Sequence, residues 1–164
     1  MTGTPLTRGE VLARLGAVRS ALRELAARAP ERALQEIQVT PEWNAIETLR
    51  HMSVWHELAM RCLADWHGSR EWMPIFVDED VFNLEMVAAR FSAGLPTVLD
   101  GIDAAHRRYA ETLDAYGDAE LAEMDVAPWR EQVTRLHLIN ELLGHDLEHI
   151  GEIDAARRRT PSRD

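Results

Sequence analysis

The chain has 164 residues, 46% of them hydrophobic and 28% charged. This is the balance of a soluble globular protein, long enough to bury its own core as one domain over residues 1–164. The formal charge of −10 excludes the basic face that non-specific nucleic-acid binding needs, and a single cysteine excludes an intrachain disulfide framework and suits a reducing, cytoplasmic setting.

The opening stretch MTGTPLTRGE lacks the apolar centre of a signal peptide, and no later segment approaches the roughly 20 apolar residues that cross a bilayer. A first helix is predicted over Arg8–Arg28. There Val11, Leu15, Val18, Leu22 and Leu25 recur in steps of four and three and draw one apolar stripe, which Pro30 ends. A second helix is predicted behind Asn44, with Glu47 three residues on as in a capping box, and runs to Trp66 or His67, where Gly68 closes it. GSREWMPIFVDEDVF lacks helical periodicity and reads as a long loop, its DED at 78–80 a solvated turn.

A third helix is predicted from Asn83 to Tyr116 or Gly117. Leu84, Ala88, Phe91, Leu95, Val98 and Ile102 keep one register across Pro96, which predicts a kink rather than a stop. Pro128 precedes a fourth helix over Arg130–Arg158, whose terminal Arg157, Arg158 and Arg159 complement the helix dipole, and the last few residues are expected to fray. No alternating run is long enough for a strand. The expectation is an all-α four-helix bundle with long connections. At about 3.3 Å per residue, the loop after the second helix can cross the bundle's length, which allows the second and third helices to run parallel.

The candidate chemistry lies in the histidines. At 100° per residue, Trp55, Leu58 and Cys62 fall within about 40° of His51, so His51 faces inward. In HDLEHIGEI, His145 and His149 lie one turn apart on the inward edge of the fourth helix, and Glu152 is three residues beyond. Three histidines from two helices are thus expected to converge inside the bundle, the way metal sites in bundles are built. Three protein ligands leave a position for water or substrate. Buried histidines that bond a carbonyl or a carboxylate give the same pattern, and spacing does not separate the two.

HDLEH also fits the inverted zinc-peptidase motif, but Glu152 is the only inward carboxylate that follows. Cys62 lies about 16 Å along the helix from His51, too far for a fourth ligand, and reads as core. His56 points some 140° away from His51 and, with His67, His106 and His137, is expected at the surface or an interface. Trp43, Trp55, Trp66, Trp72 and Trp129 read as core or loop anchors, with Trp55 also a candidate wall for a pocket beside His51.

Taken in order, WNAIETLRHMSVWHE and LLGHDLEHIGEI resemble the DinB-like superfamily, the damage-inducible bacterial four-helix proteins. The resemblance rests on Trp43 before the second helix, His51 within it, and His145, His149, Gly151 and Glu152 in the fourth. Family members usually carry Gln where this chain has Glu152. The resemblance implies a divalent transition metal, Zn or Ni, on His51, His145 and His149. It also implies frequent homodimers and a link to stress response. Relatives include thiol S-transferases that use low-molecular-weight thiols, a mycothiol-linked isomerase and hydrolase-like proteins.

The reading that follows is a metal-dependent enzyme acting on a small molecule, with a low-molecular-weight thiol as candidate co-substrate. Glu152 is the candidate catalytic residue, either orienting a ligand histidine or accepting a proton. The competing reading is a bundle that binds or sequesters a small molecule without chemistry. No nucleic acid and no membrane is expected as a partner. Leu12 and Tyr109 exceed what one apolar stripe needs and point to a homodimer.

Overall fold

A computed structural model describes residues 6–69, 71–73 and 78–159. Of the long helices, α1, α3 and α7 each begin where a side chain takes up backbone N–H groups that a helix start leaves unpaired, whereas α5 begins at a glycine. α1 (Arg8–Arg28) is capped by Thr7, which forms a reciprocal capping box with Glu10. It buries Val11, Leu15, Val18, Leu22 and Leu25, the stripe expected from the sequence. A short α2 (Glu31–Glu36) follows.

α3 (Ala45–Ala64) starts at Asn44. The Asn44 side-chain oxygen accepts from the N–H groups of Ile46 at 2.9 Å and Glu47 at 3.1 Å, and Glu47 accepts from the Asn44 N–H at 2.8 Å. α3 stops short of Trp66, and His67, not Gly68, takes a left-handed φ of 64°. Gly68 has a different reason to be small: a Cβ there would overlap the Asp65 carboxylate.

The third predicted helix is two helices. Asp78 caps α4 (Glu79–Ala89), accepting from the N–H groups of Asp80 and Val81, so the DED stretch is a helix start and not a free turn. The chain then breaks, and Gly94 opens α5 (Leu95–Ala115) with Pro96 in its first turn. A proline there lacks an N–H that would have no helical partner anyway, so Pro96 begins a helix instead of kinking one. Arg50 holds the break in place by donating to the Ala93 carbonyl from Nε at 3.1 Å and from its terminal nitrogen at 2.9 Å. Leu84 and Phe91, assigned to an inward stripe by the sequence, are 43% and 74% exposed, whereas Leu95, Val98 and Ile102 are buried as expected.

A single turn, α6 (Asp118–Leu121), leads into an antiparallel hairpin of β1 (Met124–Val126) and β2 (Gln132–Thr134), which the sequence reading missed. The three-residue strands are too short to show an alternating pattern. α7 (Arg135–Arg159) therefore starts five residues later than predicted, with the Thr134 hydroxyl accepting from the His137 N–H. The expected fraying at the chain end and part of the long loop lie outside the described residues.

α1, α3, α5 and α7 pack as a four-helix bundle. Arg8 donates to the Tyr116 carbonyl and Arg19 pairs with Asp103, so α1 and α5 are antiparallel. Arg50 meets Ala93 ahead of α5 while His56 meets Tyr109 well inside it, so α3 and α5 run parallel, as the long connection allowed. His51 faces His145 and Trp66 lies against Arg135, so α3 and α7 are antiparallel. Among the described residues no helix is long and apolar enough to cross a membrane. Tyr109 is fully buried and belongs to the core, which leaves only Leu12 of the pair that had pointed to a dimer contact.

The cap at Asn44 sets where α3 begins and hence which of its residues face α7. Asn44→Ala is expected to cost about 1 kcal/mol in chemical denaturation. An unchanged midpoint would show that the cap carries no stability here.

Candidate metal centre

The inward edges of α3 and α7 meet at three imidazoles. His51 Nε2 lies 3.0 Å from His145 Nε2, which lies 3.1 Å from His149 Nε2. His51 is 5% exposed, and His145 and His149 are half-buried. A ring nitrogen holds either one proton or one lone pair, so His145 Nε2 can satisfy only one of its two neighbours by a hydrogen bond. Three Nε2 atoms turned on one another are a donor set that a single cation satisfies at once, and this group of residues can hold a metal ion.

The electrostatics favour the ligating form. Burial, then the neighbouring His145 and His149, hold the His51 pKa down to about 3. Burial, then His149, hold His145 to about 4, against the pull of Asp146. Both rings are therefore neutral at physiological pH, as coordination requires. The far nitrogens differ in their partners. His149 Nδ1–H donates to Glu152 Oε2 at 2.7 Å, which directs the His149 Nε2 lone pair toward the other two rings. The buried Nδ1 atoms of His51 and His145 have no hydrogen-bond partner among the described residues. Trp43 packs on the His51 ring at 4.8 Å between centroids, and Trp55 approaches it edge-on at 6.4 Å.

A second polar group lies deeper, and here the sequence expectation fails. His56 and His106, expected at the surface or an interface, are buried in the core. His56 Nε2 lies 2.8 and 2.9 Å from the two Asp146 oxygens, and His106 Nε2 lies 2.9 Å from Asp146 Oδ2. The Tyr109 hydroxyl lies 2.8 Å from His56 Nδ1. With both histidines protonated on Nε2, each donates to Asp146 and the Tyr109 hydroxyl donates to His56.

Burial alone would raise the Asp146 pKa, but His56 and His106 outweigh it and keep the carboxyl well below the usual range. Burial lowers His106 and raises the Tyr109 hydroxyl. The donor atoms of this second group are also close enough to hold an ion. They are closed by hydrogen bonds, however, while the first group is not.

The miss has a physical reason. α3 buries 13 of its 20 residues, so it has no polar face of the usual width and an angle measured from His51 does not separate core from surface. One signal was available: Leu142, Leu143, Asp146, Ile150 and Ile153 share an inward stripe, and a lone carboxylate at such a position needs buried donors. His67 and His137 are exposed as expected, beside Glu123 and Glu141. Cys62 is buried in the core.

The family profile described as the DinB superfamily matches residues 14–153. No curated protein matches the chain. Among solved structures, an uncharacterized protein from Clostridium difficile 630 superposes with a TM-score of 0.75 at 10% identity, covering 97% of this chain and 100% of its own. A protein from Streptococcus pneumoniae superposes with a TM-score of 0.64 at 14% identity, covering 96% of this chain and 94% of its own. At these identities the two structures speak for the fold alone.

The depressed histidines make a pH dependence. In the unfolded chain a histidine titrates near 6.5, so between about 6.5 and the folded values the unfolded state binds more protons and stability falls with pH. Metal-free protein is expected to melt at a constant temperature above about pH 7 and at progressively lower temperature from about 6.5 toward 4. Asp146 has the opposite history: its contribution is present above the unfolded carboxylate value of about 3.9 and is lost only below it. Thermal melts across this range check the sign, and a midpoint independent of pH from 7 to about 4 would contradict buried, neutral His51 and His145.

Proposed function

The chain belongs to the DinB superfamily, and we propose that it is a divalent-metal-dependent enzyme acting on a small molecule. The observation that carries the reading is the meeting of His51, His145 and His149 through their Nε2 atoms at 3.0 and 3.1 Å. In this reading those three residues hold the ion, Zn or Ni by donor type. Three protein ligands leave room for a further group. When bound there, such an ion would lower the pKa of a thiol or water beside it and so supply a nucleophile at neutral pH.

The chain's own residues do the rest. Burial keeps His51 and His145 unprotonated and ready to ligate. Glu152 is a positioning residue: by accepting the His149 Nδ1–H it fixes the tautomer and the ring orientation. Trp43 packs against the His51 ring at 4.8 Å with the rings tilted by 34° and covers that side of it. A cavity of about 310 Å³, with His145 and Leu142 in its wall, gives a small molecule its place.

The favoured reaction is transfer of a low-molecular-weight thiol to an electrophile, with hydrolysis the nearest alternative. A cytoplasmic setting suits a thiol co-substrate and the chain's single buried cysteine. A homodimer is part of the same proposal, with exposed Leu12 a contact to examine by light scattering.

Protein purified without a His tag is expected to take up about one Zn or Ni per chain. His149→Ala is expected to lose most of that metal while its circular dichroism stays helical, since α7 buries its Leu and Ile side chains independently of the ion. Glu152→Ala is expected to weaken metal affinity by about 10–100-fold. Turnover in a panel of thiols and electrophiles is expected only with metal and only with His149. Wild-type protein that binds no metal, or turnover unchanged in His149→Ala, would remove the basis of the proposal.

A further inference from the structure

The cavity beside His145 has an unusual wall. Half-buried Trp129 and the edge of buried Trp55 line it, with their rings 6.5 Å apart and inclined at 60°, forming an aromatic corner whose open face is mainly that of Trp129. Both indoles are held in place. Trp55 donates its Nε1–H to Asn83 at 3.0 Å and packs against Phe82 at 5.9 Å, and Trp129 donates its Nε1–H to Glu131 at 3.2 Å. Glu79, Glu131 and Glu141 complete the wall, one each from α4, the hairpin loop and α7. Glu141 Oε1 lies 3.5 Å from His137 Nε2, and among the described residues no arginine lines this cavity.

Indole faces carry negative potential and attract a cation within about 6 Å of the ring, and best of all when the cation sheds its water. Carboxylates around the same space add attraction for positive charge and oppose an anion. An apolar cation such as an alkylated ammonium satisfies both features: its methyl groups pack on the indoles and its charge answers the carboxylates. A neutral molecule of the same shape keeps the packing and loses the charge. The volume of about 310 Å³ is that of a small ligand.

We propose that this cavity binds a small organic cation with an alkylated ammonium head, and that the substrate presented to the histidine centre carries such a group. The substrate role rests on the metal-enzyme reading above; the cation selectivity of the pocket is measured apart from it.

The test is calorimetric titration of zinc-treated protein, its metal content assayed, with choline and with 3,3-dimethylbutan-1-ol, the neutral molecule of the same shape. Choline is expected to bind about tenfold or more tighter than the alcohol, with affinity falling as salt rises. Trp129→Leu is expected to weaken choline about tenfold while metal content stays unchanged. Should Trp129→Leu fail to fold, the Glu131→Gln, Glu141→Gln double variant is expected to weaken choline and leave the alcohol alone. Equal binding of choline and the alcohol, or no saturable choline binding by protein that carries its metal, would overturn the proposal. Choline-selective binding by protein that takes up no metal would instead overturn the enzyme reading and the substrate assignment with it.

Discussion

A carboxylate at the centre of a helical bundle persists only if donors surround it, and Asp146 is such a group. Moving an unpaired charge out of water costs several kcal/mol, so the anion demands hydrogen bonds from every side that water has left. His56 supplies them from α3 and His106 from α5, while Tyr109 secures the far side of His56. Three of the four long helices are therefore tied at one level of the bundle. Sliding α7 by one residue against α3 would leave Asp146 buried among apolar side chains.

That constraint reaches the histidine centre through the next residue. With Asp146 fixed against His56, His145 turns toward His51, five residues earlier on α3, and His149 follows one turn on along α7. The two polar groups share a wall but have different electrostatic states. The inner one is an anion satisfied by hydrogen bonds. The outer one is three imidazoles whose Nε2 atoms meet at 3.0 and 3.1 Å, a group that can hold a cation. Glu152 stands at the exposed end of the outer group, where solvent reaches it, and the Trp55–Trp129 corner lines the cavity that His145 also borders. The arrangement grades from the buried core through the three imidazoles to an open cavity.

Much of this was legible from residue order because it rests on local rules. The α1 stripe, the Asn44–Glu47 capping box and the one-turn spacing of His145 and His149 each express helix geometry alone. The length of the connection only allowed α3 and α5 to run parallel, and the connection that spans them includes α4. What escaped depends on partners far along the chain. The break before α5 is pinned by Arg50 on the Ala93 carbonyl, a contact across 43 residues that no local pattern displays. Pro96 looked like a kink because Leu84 and Phe91 happen to continue the spacing of Leu95, Val98 and Ile102, yet both are exposed. His56 and His106 read as surface residues because a polar side chain alone carries no sign of the buried anion that will accept its proton. The carboxylate in the inner stripe of α7 was the clue to them.

The central claim is that His51, His145 and His149 bind one ion through imidazole nitrogen. X-ray absorption at the metal edge of zinc-loaded protein measures this directly, since imidazole rings scatter in a recognisable pattern. The expected spectrum shows three imidazoles with Zn–N distances of about 2.0–2.1 Å, completed by a light atom. His149→Ala is expected to lower the imidazole count or release the metal. A spectrum with one imidazole or none, or with the same imidazole count in His149→Ala, would contradict the claim.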